Sequence, residues 1–157
     1  MREILFRGKR ADNNEWVHGY YVPDMLEKTH GDDVDWAFIR EHRHEEASTA
    51  THYVKKVTVG QYIGLRDKNR REIYEGDIIQ TYFHFAPGDS GHGISQSPFV
   101  VKWAPGRTAF RASKPEMHGG HVFHILDTID FFEMQSELYE IIGNVYDNPG
   151  LLEKGGA

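Results

Sequence analysis

The chain has 157 residues, 39% hydrophobic and 13% aromatic, with a formal net charge of −6 and no cysteine. This length suits one domain, or one domain with a sizeable N-terminal extension, and the lack of cysteine excludes disulfides, thiolate metal sites and a cysteine nucleophile. The acidic balance argues mildly against a dedicated nucleic-acid binder, which needs Lys and Arg to neutralise phosphates, although a local basic patch could override it.

The 16 glycines call for many turns, hence many short strands rather than long helices. Residues 2–9 read as a strand with Ile4 and Phe6 on one face. Residues 11–14 (Ala-Asp-Asn-Asn) form a turn, because Asp and Asn bond their own backbone. Residues 15–22 return as a second strand, Trp16, His18, Tyr20 and Val22 alternating with Val17 and Tyr21, which predicts a hairpin over 2–22. Residues 24–35 are polar and read as a loop, and 36–40 as a third short strand. The charged stretch 41–51 reads as a helical turn or a loop, and Val57 and Val59 alternate with Thr58 in a segment that can pair.

A barrel-like part begins near Gly60, with strands predicted at 61–65, 72–74, 77–85, 98–103, 108–112, 121–126 and 138–145. Residues 86–97, rich in Gly and Ser, read as a loop of about 12 residues, a length at which loops are functional or disordered. Pro105-Gly106 is a turn. Residues 127–137 are the one helix predicted, capped by Asp127, with Ile129, Phe131, Phe132 and Met134 on its apolar side. The tail 148–157 should fray beyond Leu151-Leu152. No stretch reaches the roughly 20 apolar residues that span a bilayer as a helix, and the N-terminus lacks an apolar core of signal-peptide length, which agrees with a cytoplasmic protein.

Three blocks stand out: Met1 to Arg7 (Met-Arg-Glu-Ile-Leu-Phe-Arg); Val-Gly-Gln-Tyr-Ile-Gly-Leu-Arg-Asp-Lys-Asn at 59–69, continuing Glu-Ile-Tyr-Glu-Gly-Asp-Ile at 72–78; and Leu-Tyr-Glu-Ile-Ile-Gly-Asn-Val-Tyr-Asp-Asn-Pro at 138–149. Together they resemble the YopX family of phage and prophage proteins. The resemblance implies a mainly β protein with an SH3-like barrel in its C-terminal half; with the elements above, the expectation is an SH3-like barrel at 58–147 with one short helix, an N-terminal hairpin extension at 1–57 packing on that barrel or on a neighbouring subunit, and a tail at 148–157. It also implies a phage or prophage origin and self-association, and it carries over no catalytic residues. One departure is visible. The family usually has Asn-Gly at the central turn, where this chain has Asn69-Arg70. A two-residue type I′ turn needs positive φ at both central positions, which Arg tolerates poorly, so a different or longer turn is expected.

Five constellations have both a chemical and a plainer reading. His118, His121 and His124 form a His-x-x-His-x-x-His run that would suit zinc, but residues 121 and 124 point to opposite faces of a strand. His42 and His44, beside Glu45 and Glu46, could grip a cation or form a solvated charge run. Glu72, Glu75 and Asp77 could be an acid–base or magnesium group, or a bend in which Gly76 frees the backbone and Asp77 bonds amides. Arg66, Lys68, Arg70 and Arg71 beside Tyr62 and Tyr74 make a basic turn that could hold a nucleic acid, or a solvated hairpin tip. Ser90 lacks the strand–elbow–helix setting of a hydrolase nucleophile.

Trp16, Tyr20, Tyr21, Trp36, Trp103, Phe110, Phe131 and Phe132 are mostly core candidates, with some left over for subunit contacts. The reading is a non-enzymatic binding or assembly module that forms homo-oligomers. It needs no cofactor and contacts no membrane, and its partner is a host or phage macromolecule, protein ahead of nucleic acid. The alternatives are a nucleic-acid accessory protein using the 66–71 turn and, third, a His/carboxylate metal-dependent enzyme.

Overall fold

The computed structural model describes residues 4–22, 35–41, 50–84, 92–94, 98–104, 109–113, 123–124 and 138–152. In these residues the chain is mainly β. It divides into two compact units, Met1–Tyr62 and Ile63–Ala157, and the division falls inside one strand.

The first unit is an antiparallel meander of β1 (Phe6–Lys9), β2 (Trp16–Val22), β3 (Trp36–Glu41) and β4 (Thr51–Lys55), in the order β4-β3-β2-β1. The hairpin read from the sequence is present, with Phe6 opposite Gly19 and Lys9 opposite Trp16. Its turn closes because the Arg10 N–H donates to the Glu15 carbonyl and Asn13 Oδ1 accepts the Glu15 N–H. The period of two sorts the side chains. Val17, Ala37, Ile39 and Val54 point inward, with Phe6, Tyr21 and Val59 packed against them. β2 and β3 approach closely at Gly19, where a Cβ would lie 1.9 Å from the Arg40 carbonyl oxygen.

The end of β1 bends back toward β4: Arg10 bridges Val54, and the Ala11 N–H donates to the Tyr53 carbonyl at 2.9 Å. A 3-10 turn, Lys56–Thr58, follows β4. Thr58 Oγ1 accepts the Lys9 N–H and donates to the Lys55 carbonyl, which pins this turn beside β1. The next strand, β5 (Gly60–Arg66), then pairs with β1 through Gly60 and Gln61.

In the second unit the end of β5 turns into β6 (Glu72–Tyr74). A second sheet follows, in the order β11-β10-β9-β7-β12, built from β7 (Asp77–His84), β9 (Phe99–Ala104), β10 (Ala109–Ser113), β11 (Phe123–His124) and β12 (Tyr139–Asn144). Its core is Ile63, Ile73, Ile79, Phe99, Val101, Phe110 and Ala112, with Leu65, Tyr139 and Ile141 against it.

Three expectations change. Among the described residues the strands form two open antiparallel sheets and no closed barrel, in contrast to the barrel expected at 58–147. The reason is local. Gly76, at φ +80, and the Asp77 carboxylate, which accepts the Tyr74 N–H at 2.8 Å, turn the chain out of the first sheet after only three residues of β6. The run 59–79 therefore serves two sheets. Second, the segment read as a loop at 86–97 contains a short strand, β8 (His92–Ile94), paired with β7. Third, among the core candidates Tyr20, Trp36 and Trp103 are exposed. The helix expected at 127–137 lies outside the described residues.

Candidate functional site

The central turn is one residue longer than a type I′ hairpin. The Arg70 N–H donates to the Asp67 carbonyl, the Asp67 N–H to the Arg71 carbonyl, and Arg70 alone takes positive φ, at +62. This is a type I turn followed by a left-handed residue, the usual three-residue hairpin loop. Asp67 organises it. One carboxylate oxygen accepts the N–H groups of Asn69 and Arg71 at 2.8 and 2.9 Å. The other accepts Arg71 Nε and Nη2 at 2.9 and 2.7 Å, and the Ile141 N–H at 3.1 Å. Asp67 is 1% exposed. Burial pushes its carboxyl up, but the Arg71 side chain and the amides of Arg71, Ile141 and Asn69 outweigh that and hold it below the ordinary aspartate value.

The last strand is held at this turn a second way, by the Lys68 N–H on the Tyr139 carbonyl and Lys68 Nζ on Glu140. It ends in a corner built on Asn144. Asn144 Oδ1 accepts the N–H groups of Tyr146 and Asp147, and Asn144 Nδ2 donates to Asp147.

These bonds decide what the basic turn has left to offer. Arg66 is paired with Glu72 at 2.7 Å, Lys68 with Glu140 at 2.7 Å, and Arg71 with Asp67. Tyr74 is buried, with its hydroxyl on Glu72, so its ring presents no face to a base. Tyr62 belongs to the first unit, where its N–H donates to the Leu5 carbonyl. Arg70 is the exposed cation of the turn for which no ion pair forms among the described residues.

The acidic group has backbone and side-chain partners of its own: Asp77 caps the β6–β7 turn, Glu75 accepts the Trp103 N–H at 3.0 Å, and Glu72 takes Arg66 and Tyr74. His42, His44, His118 and His121 lie outside the described residues, as does Ser90, and only the backbone of His124, in β11, is described. Among the described residues no group of three or more His, Asp or Glu is placed to hold a metal ion.

The feature that sequence reasoning missed is the outward face of the first sheet. Trp36, Phe38 and Arg40 of β3 share it with Thr51, Tyr53 and Lys55 of β4 and with Tyr20 of β2. Tyr20 and Trp36 are each 42% exposed and Tyr53 is 55% exposed. Register places Tyr20 opposite Arg40, Arg40 opposite Thr51, Phe38 opposite Tyr53, and Trp36 opposite Lys55. The Phe38 and Tyr53 rings pack at 4.6 Å between centroids. Toward β1 the face is already used, with Trp16 stacked against Arg7 at 4.7 Å and Lys9 at 5.6 Å.

Toward β4 a groove of about 510 Å³ opens, lined by Trp36, Tyr53, Thr51, His52, Arg10 and Asp12. Arg10 holds Asp12 through two hydrogen bonds, 3.0 and 2.6 Å, and this keeps the Asp12 carboxyl below the usual range. The alternation at 36, 38, 40 and 51, 53, 55 separates these residues from Ala37, Ile39 and Val54, but it does not say which set faces outward.

These features define a mainly β protein whose central hairpin and last strand are joined at Asp67. The chain belongs to the YopX protein family, whose model matches residues 5–153. It is also similar to the crystal structure of protein EF1440 from Enterococcus faecalis, with 21% identity and a TM-score of 0.46 over 97% of this chain and 99% of that one. No curated relative matches the chain. Among the described residues no helix is long and apolar enough to cross a membrane.

Proposed function

We propose that this protein is a non-enzymatic binding module of a phage or prophage, acting in the host cytoplasm, which engages a macromolecular partner through the outward face of β2, β3 and β4. The observation that carries the reading is the exposure of Tyr20, Trp36 and Tyr53 together on one sheet face beside Arg40. Contiguous exposed apolar surface rimmed by polar groups marks interaction sites, and aromatic residues with Arg are the types enriched at binding surfaces. The carboxylates of the central block support the non-enzymatic side, since each is engaged in holding a turn or a neighbouring strand.

The order of elements in the first unit also supports an SH3-like relationship. A four-strand meander leads through a 3-10 turn into a strand that returns to β1. The proposal therefore puts that relationship before residue 63. Self-association is part of the proposal and rests on separate residues, the aliphatic side chains of Ile4 and Val57, 57% and 75% exposed.

Affinity capture from lysogen-bearing cells, with a folded Trp36→Ser/Tyr53→Ser variant as control, tests the binding face. A partner held by the native protein and lost by the variant is the expected result. Equal capture by both contradicts it. Sedimentation equilibrium tests self-association, and a monomeric mass at all concentrations contradicts that part. The alternative, nucleic-acid contact through the 66–71 turn, retains Arg70 as its exposed cation.

A further inference from the structure

We infer that the groove between Trp36 and Tyr53 binds single-stranded nucleic acid, with bases against the two rings and phosphates toward Arg40 and Lys55. This deepens the binding-face reading and rests on it. Three observations carry the inference. Trp36 and Tyr53 line one groove and are diagonal cross-strand neighbours, because Trp36 is opposite Lys55 and Tyr53 opposite Phe38. Such neighbours stand about 7–8 Å apart, roughly two 3.4 Å nucleotide rises of one strand, so an unstacked strand can offer each ring a base. Stacking of this kind is tolerant of sequence because every base has a π-face.

Asp12 lines the groove, but the strand residues beside it carry charge of one sign. None of the β2, β3 and β4 residues on the outward side is a carboxylate. The Arg40 guanidinium meets no carboxylate among the described residues, and Lys55 Nζ is held by the neutral Asn14 side-chain oxygen at 2.5 Å, which leaves its charge uncompensated. The carboxylates near the groove are each engaged, Glu41 with His52 at 3.4 Å and Asp12 with Arg10 at 2.6 Å. The groove is also the right size. At about 510 Å³ it lies within the range of small-ligand sites, and Thr51 on its wall can meet the polar edge of a base.

Two other occupants fit less well. A second copy docked face to face about a twofold axis would bring Arg40 and Lys55 toward their own counterparts, like charge against like. A proline-rich peptide would use the rings but leave both cations without a partner. The net charge of −6 weakens long-range attraction without forbidding contact, because charges beyond a Debye length of about 10 Å at 0.1 M salt are screened.

The test is fluorescence anisotropy of labelled 12-nucleotide oligo-dT and oligo-U, with a duplex of the same length, against the intact protein across salt. Binding to the single strands and weaker binding to the duplex are expected, with a log–log salt slope of about −1.4, two phosphates at about −0.7 each. Tyr53→Ala should lose roughly tenfold in affinity or more, since stacking is worth about 1–3 kcal/mol per base. Tyr53→Phe should bind like the native protein, and Arg40→Gln should flatten the slope by about 0.7. Both positions are exposed, so an unchanged melting temperature separates lost binding from lost fold.

Absence of oligonucleotide binding at low salt overturns the inference, as does binding that Tyr53→Ala leaves intact. So does a proline-rich peptide that occupies the face when oligonucleotides do not. If capture by the Trp36/Tyr53 face persists while oligonucleotides fail, the binding-face reading stands and this inference falls.

Discussion

The second carboxylate oxygen of Asp67 accepts the backbone N–H of Ile141 at 3.1 Å, across 74 residues of chain. The same oxygen takes both nitrogens of the Arg71 fork. One buried side chain thus closes its own turn and fixes the position of β12, joining two sequence blocks that are far apart in the chain.

Removing that carboxylate should be costly. Asp67→Ala leaves three backbone N–H groups and the Arg71 guanidinium without their acceptor. The expected loss is about 2–4 kcal/mol, held below the fully buried figure because the Arg71 side chain is half exposed. Urea unfolding reads it, with amide exchange at Ile141 rising in parallel. A change within about 0.5 kcal/mol contradicts this role.

The same bonds set an acid dependence. The folded-state value of Asp67 is depressed, so its contribution is fully present above the unfolded value of about 3.9 and is lost as pH falls through the lower folded value. Stability should therefore decline below about pH 4, and Asp67→Asn should show a shallower decline there. Equal slopes for both proteins over that window would remove Asp67 from the account.

Arg70 stands at φ +62, where an L side chain crowds the following carbonyl. Arg70→Gly should stabilise the hairpin by about 0.5–1 kcal/mol, after glycine's greater freedom in the unfolded chain is subtracted. The melting temperature should rise by roughly 1–4 °C for a chain of this size. A fall would mean that the Arg70 side chain makes a contact worth more than the strain.

Gly19 makes the opposite prediction. A methyl group there would lie 1.9 Å from the Arg40 carbonyl oxygen, so β2 and β3 must separate. Gly19→Ala should cost about 1–3 kcal/mol or more as overpacking, and it should disturb Tyr20 and Arg40 on the other side of the same strands. A native melting temperature for this variant contradicts the close approach.

Most strands were legible because their alternation is strong. Val17 against His18 and Tyr20, and Ile73 with Ile78 and Ile79 around Gly76, mark burial and turn alike. The lengthened central turn was legible too, since Arg at a position usually given to Gly excludes a type I′ loop. Sheet membership was not. Whether β6 and β7 share a sheet depends on where Gly76 and Asp77 send the chain, which period-two patterning does not encode. The same gap hid the aromatic face. Trp36 and Tyr20 resemble core residues by composition, and only the pairing of β3 with β2 and β4 shows that Ala37 and Ile39 take the inside and leave the rings outside. At the basic turn the pairing was hidden for the converse reason: three of its four cations meet carboxylates, two of them within the hairpin and one in β12.

A backbone amide titration by nuclear magnetic resonance, adding oligo-dT to the intact protein, tests the central claim most directly. Saturable shifts concentrated at residues 36–40 and 51–55 and near Tyr20 are expected, with the 66–71 turn unmoved. Shifts confined to residues 66–71, or no shifts up to millimolar oligonucleotide, would contradict it.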